Sequence, residues 1–185
     1  MKTLYVAVCA ALLAAPVSAA TYALTEELTS TGQDLTFQFD GLVASDGTGG
    51  MLTLSSVKGL DLGVVPNEYM DVSIDGDDYG RWVCDDTPAS GATDIPGAVG
   101  TNGCKFSLEL AITDSDLTGF LADGSITVLA VMGSGVSAFG GAKDLTAVLN
   151  YTATAAGGAQ VPLPASALML GAGVAATAAA RRRKG

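Results

Sequence analysis

Lys105-Phe106-Ser107-Leu108-Glu109-Leu110-Ala111-Ile112 places an apolar residue at every second position, Phe106, Leu108, Leu110 and Ile112, with Lys105, Ser107, Glu109 and Ala111 between them. A period of two puts each set on its own face of an extended strand, so the stretch reads as a β-strand with one face buried and one wet. The same alternation recurs outward in both directions. Leu35, Phe37 and Phe39 alternate with Thr36 and Gln38 ahead of an Asp40-Gly41 turn. Met70, Val72 and Ile74 alternate with Asp71, Ser73 and Asp75, and Leu145, Ala147, Leu149 and Tyr151 form a last strand. Met51 to Val57 mixes apolar and hydroxyl residues and is entered through Asp46-Gly47-Thr48-Gly49-Gly50, read as a flexible hairpin turn. Ser125 to Met132 is nearly all apolar, as a central strand is. Arg81-Trp82-Val83-Cys84 returns after Asp75-Gly76-Asp77-Asp78, which makes a hairpin. Asp114 to Leu121 is expected to form a short helical turn capped by Asp114 or Ser115.

These segments amount to about seven or eight strands separated by Gly- and Asp-rich turns. The expectation is an all-β fold, an antiparallel β-sandwich with a jelly-roll-like arrangement. About 140 residues remain for folding once the two ends are set aside, which is one domain with a sizeable core.

Charge is segregated. All 19 acidic residues lie between Glu26 and Asp144, opposed there only by Lys58, Arg81, Lys105 and Lys143, a net charge of −15. Such a domain repels nucleic acid and anionic headgroups, and an acidic coat or cation binding is its natural use. The chain has no histidine. That removes Ser–His–Asp and Cys–His nucleophile arrangements, and histidine zinc sites with them. Asp and Glu fall mostly at turns, where backbone chemistry favours Asp, so the chain is read as non-enzymatic with no catalytic residue.

Cys84 and Cys104 are an even pair in the folded part, and a disulfide between them is expected in an oxidising compartment. Asp75, Asp77 and Asp78 admit two readings: a polar hairpin turn, or a Ca²⁺ site completed by Glu68, Asp71, Asp85 or Asp86. No other cofactor is expected. Trp82, Tyr69 and Tyr79 also admit two: core packing beside the disulfide, or an exposed platform on which sugar rings stack.

The ends read as addresses. Lys2, an apolar run from Leu4 to Ala15, and Pro16-Val17-Ser18-Ala19-Ala20 form a secretory signal peptide over residues 1–20, cleaved after Ala19 or Ala20. The ectodomain follows over 21–154, then a small-residue linker over 155–160. The last part, 161–185, comprises Val161-Pro162-Leu163-Pro164-Ala165, an apolar segment to Ala180, and the basic cluster Arg181-Arg182-Arg183-Lys184. The prolines bar an earlier helix start. Leu163 to Ala180 forms one transmembrane helix of about 27 Å, at the short limit for spanning, with the cluster holding its end in the cytoplasm.

Motif, helix and basic cluster, in that order, resemble the VPLPA variant of the PEP-CTERM sorting domain. The resemblance covers only Val161 to Gly185. It implies a precursor anchored in the inner membrane of a Gram-negative bacterium, an exosortase-like membrane protease as partner, and release or transfer to the cell surface or extracellular space. Many bearers of this tail come from producers of extracellular polysaccharide, which is the second partner implied. The expected function is a non-enzymatic structural or interaction role at the surface or in the matrix. The alternative is a carbohydrate- or calcium-dependent adhesive binding module. Leu60-Asp61-Leu62-Gly63, with Glu68-Tyr69-Met70-Asp71-Val72-Ser73-Ile74-Asp75-Gly76, is also similar to a run in β-sandwich ectodomains of secreted and adhesin-like bacterial proteins.

Overall fold

The computed structural model describes residues 17–63, 67–84, 91–96, 98, 103–137 and 143–154. The chain divides into two units, 1–154 and 155–185, and the second lies wholly outside the described residues. So do residues 1–16 of the expected signal peptide, the linker, the sorting motif Val161 to Ala165, the expected transmembrane helix and the cluster Arg181 to Lys184.

Among the described residues, nine strands form: β1 Val17–Leu28, β2 Leu35–Asp40, β3 Ser45–Leu60, β4 Met70–Ile74, β5 Asp77–Val83, β6 Thr93–Asp94, β7 Cys104–Ile112, β8 Ser125–Met132 and β9 Lys143–Thr154. They build two sheets, ordered β1-β9-β3-β7 and β2-β8-β4-β5-β6. Every pairing is antiparallel except β5 with the two-residue β6. The chain crosses between the sheets after β1, β2 and β3, and again around β7 and β8. That path, with its 1-9-3-7 and 2-8-4-5 orders, is a jelly roll. The expected antiparallel sandwich is therefore the fold.

The core is where the period-two pattern put it. Leu35, Phe37 and Phe39 of β2 and Met70, Val72 and Ile74 of β4 point inward from one sheet. Leu52 and Leu54 of β3, the five alternate residues Cys104 to Ile112 of β7, and Leu145 to Ala153 of β9 meet them from the other. Each such Leu, Ile or Phe contributes about 1.5–3 kcal/mol on burial.

One strand that the sequence pattern did not mark is added, and two local expectations are corrected. First, β1 is a strand of 12 residues, paired one for one with β9 from Val17↔Thr154 to Leu28↔Lys143. Its inward residues Ala20, Tyr22 and Leu24 are only half-buried because it lies at a sheet edge, and the alternation is correspondingly weak in sequence. Second, Asp46 to Gly50 is no hairpin turn. It is the irregular start of β3, whose register with β9 shifts between Ser45 and Gly50. Gly49 is essential to it: φ is +75°, and a Cβ there would lie 2.7 Å from the Ile112 carbonyl oxygen. Third, the helix α1, Asp114–Phe120, is capped by Thr113, whose Oγ1 accepts from the Asp116 amide, rather than by Asp114 or Ser115. A 3-10 turn, Leu121–Asp123, follows it, and Leu117 anchors the segment in the core.

Cys84, just after β5, is bonded to Cys104 at the head of β7, with Cα atoms 6.2 Å apart. These strands belong to different sheets, so the disulfide covalently joins the two layers. Between them the loop is held by Ile95, which is fully buried and donates its amide to the Val83 carbonyl.

Candidate functional site

The face of β2-β8-β4-β5 turned away from the core gathers most of the unusual chemistry. Its position is set by a short hairpin. Ile74 pairs with Asp77, so β4 and β5 are joined by Asp75-Gly76 alone. Both have positive φ, 49° and 90°, the signature of a type I′ turn. Asp75 is held there by its neighbour strand: its amide donates to the Thr127 carbonyl, and its Oδ1 accepts from the Thr127 amide at 2.7 Å.

From that turn a simple hairpin would pair Asp71 with Gly80 and Met70 with Arg81, aiming Arg81 at the core. Instead the register shifts between Asp71 and Ser73, with an extra residue in β5 at Tyr79-Gly80. The bulge pairs Asp71 with Arg81 and Met70 with Trp82. One slipped residue exchanges the two faces, sending Arg81 outward and Trp82 inward. Arg81 then binds Asp71 through two parallel bonds, Nε to Oδ1 at 2.7 Å and Nη2 to Oδ2 at 2.8 Å. Its Cζ lies 3.7 Å from the centre of the Tyr69 ring. The Asp71 hydrogen bond raises the Arg81 pKa above its ordinary value. The pair is partly exposed, so its contribution to stability is at most about 1 kcal/mol, and its main effect is to fix a guanidinium in place.

Two open depressions meet on this face. One, of about 480 Å³, lies over Asp71, Ser73, Asp78, Arg81 and Val131 and is bounded by Gly91. The other, of about 780 Å³, lies over Ser73, Thr127 and Leu129 and is bounded by Phe120, Ala122 and Asp123. Ser73 belongs to both, so they form one groove across β5, β4 and β8. Ser125 donates both its amide and its hydroxyl to Asp123 Oδ1 at 2.9 Å, which holds the Asp123 carboxyl below the usual range.

The residues singled out in the sequence are distributed as follows. The Cys84–Cys104 disulfide is formed. Asp75, Asp77 and Asp78 do not converge on a common point with other donors. Among the described residues, no group of three His, Cys, Asp or Glu side chains is arranged to hold a metal ion. Asp75 serves Thr127, and Asp78 Oδ1 accepts from the Gly80 amide at 2.8 Å. Asp71 is taken by Arg81, and Asp85 and Asp86 lie outside the described residues. The three aromatics do not form one platform. Trp82 packs half-buried against the core, its indole N–H donating to the Tyr79 carbonyl, whereas Tyr69 lies under Arg81 on the outer face. Tyr79 is also packed against the core, and burial, with Asp116 and Asp77 nearby, raises its pKa.

The Asp71–Arg81–Tyr69 cluster was not visible in the sequence, because its pairing depends on the bulge. The Gly80 beside Arg81 is the one signal that could have suggested it. No family model, curated protein or solved structure matches this chain.

Proposed function

We propose that this chain is an exported cell-surface or extracellular-matrix protein with a non-enzymatic structural or interaction role. Its precursor is held in the inner membrane by the tail from Leu163 to Lys184. An exosortase-like protease then cuts near Val161-Pro162-Leu163-Pro164-Ala165. The observation that carries this reading is the Cys84–Cys104 disulfide. A bridge fastening two sheets of a small acidic domain persists in an oxidising compartment and is rare in a reducing one. The tail and the signal sequence agree with that compartment independently.

The test is intact-mass and terminal-peptide analysis of the protein from its native host. The expected product starts at Ala20 or Thr21, ends between Pro162 and Ser166, and is lighter by two hydrogens than the reduced chain. A product still ending in Arg181-Arg182-Arg183-Lys184-Gly185 refutes exosortase-type processing and leaves a tail-anchored envelope protein.

A second reading, an adhesive binding module, is favoured by the groove on the outer face of β2-β8-β4-β5. Its calcium form draws less support than its carbohydrate form, since Asp75 and Asp78 are engaged by backbone amides of their own neighbourhood.

A further inference from the structure

We propose that the groove centred on Ser73 binds an uncharged polysaccharide chain, a proposal that rests on reading this protein as an extracellular interaction module. The floor is mixed: Leu129 and Val131 are apolar and half-exposed, while Ser73 and Thr127 bring hydroxyls. Thr127 to Val131 spans about 13 Å of extended strand, room for a short run of sugar units. The rim carries acceptors at both ends and a fixed donor at one: Asp71 and Asp78 lie beside Arg81 over β5 and β4, and Asp75 and Asp123 border the other depression.

Sugar hydroxyls both donate and accept, and the C–H faces of the rings are apolar, so a floor and rim of this kind match them in turn. A guanidinium carries more N–H donors than one carboxylate can accept, so pairing with Asp71 orders Arg81 without exhausting it. Preorganisation of this sort lowers the entropy lost when a ligand is bound.

The same groups argue against other occupants. Four carboxylates, Asp71, Asp75, Asp78 and Asp123, on a domain of net charge −15 repel uronates, phosphates and nucleic acid. An extended peptide adding a strand needs a free sheet edge, but the floor is made of β4 and β8, each paired on both sides. A cationic peptide lying across the face would meet Arg81 at the β5 end of the groove.

The experiment is native affinity electrophoresis of the full chain in detergent, through gels containing dextran, hydroxyethyl cellulose or galactomannan, with polygalacturonate as the charged comparison. The proposal expects at least one neutral polymer to retard the protein, with little change on adding salt. Ser73→Arg, which fills the groove from an outward position, should weaken retardation tenfold or more. Val131→Arg, an independent block on β8, should do the same. Thr53→Arg, on the outer face of the opposite sheet, should leave it intact, with all three variants checked for unchanged circular dichroism. Retardation by no neutral polymer overturns the proposal, as does retardation by polygalacturonate alone. So does equal retardation of the wild type and both groove variants. Binding of an oligolysine peptide that salt abolishes, without polysaccharide binding, would assign the face to a basic partner and overturn it too. The export reading is judged separately by the termini. Processed termini without retardation sink only the groove, and retardation with an unprocessed tail sinks only the sorting.

Discussion

Removing the disulfide should cost this domain about a fifth to three fifths of an ordinary domain's stability, and the structure says why. The bridge closes a loop of sequence separation 20. Chain entropy gives such a loop roughly 3 kcal/mol at 25 °C. The appropriate variant is Cys84→Ala with Cys104→Ala. Alanine is preferred to serine because Cys104 is 2% exposed, and a hydroxyl there would be buried without water. For a domain of about 140 residues the unfolding entropy is near 0.3 kcal/mol/K, so the melting temperature should fall by about 10 °C. Thermal melts followed by circular dichroism, with the wild type in oxidised and reduced form alongside, measure it. The urea m-value should rise, since an uncrosslinked chain exposes more surface when it unfolds. A fall of less than about 3 °C, with an unchanged m-value, would refute the reasoning. It would mean that Ile95 and Trp82 alone hold the loop and the side of the sandwich where β5 and β7 meet.

Tyr151 and Gly49 offer sharper local tests. The Tyr151 hydroxyl donates to the Val43 carbonyl at 2.8 Å, and its ring stacks on Tyr22 with centroids 6.1 Å apart. Burial, then Tyr22, pushes its pKa from 10.0 to about 12. A raised folded-state value means stability that is whole below pH 10 and lost as pH climbs towards 12. The shift corresponds to about 2–3 kcal/mol. Tyr151→Phe should cost about 1 kcal/mol at neutral pH and show a smaller decline over that alkaline window in urea titrations. Equal declines in the two proteins would contradict the assignment. Gly49→Ala meets both a positive φ and the Ile112 carbonyl, whereas Gly76→Ala, also at positive φ, meets nothing within 4 Å. Gly76→Ala should cost about 1–2 kcal/mol, and Gly49→Ala distinctly more. Comparable melting temperatures for the two variants would show that the start of β3 yields to the added methyl.

The strands that could be read from the sequence are those with one face firmly against the core. Ser125 to Met132 is β8 to the residue, and Leu35, Phe37 and Phe39 point inward as their alternation requires. The strand that escaped notice, β1, is an edge strand whose inward side chains are half wet, so hydrophobicity barely distinguishes its faces. Asp46 to Gly50 misled because glycine marks a bulge as readily as a turn. The groove escaped for a different reason. Strand order is a long-range property, and β4 pairs with β8, setting Ser73 opposite Leu129. Ser73 and Thr127 therefore share a surface that no local pattern encodes. The Asp71–Arg81 pair depends on one slipped residue, and a count of positions from the Asp75-Gly76 turn assigns Arg81 to the wrong face.

The chain enters and leaves the sandwich side by side, which bears on the order of processing. Val17 lies opposite Thr154, so the proposed signal cleavage after Ala19 or Ala20 falls within a hydrogen-bonded ladder. A protease needs its substrate unpaired and extended. That conflict resolves if the proposed cut precedes the pairing of Tyr151 to Thr154, as it would while β9, the last strand synthesised, has yet to emerge. Little of the sandwich is lost by the cut. Tyr22, Leu24 and Leu28 remain to pack inward, and residues 21–28 still pair with residues 143–150. The end of β9 keeps its other supports. Gly50 pairs with Tyr151, the Thr154 amide donates to the Ala44 carbonyl at 2.9 Å, and the Tyr151 hydroxyl holds Val43. The end of β9 is thus fastened by the segment from Val43 to Gly50 as well as by residues 17–20, so Thr154 stays anchored even where the proposed cut removes those residues.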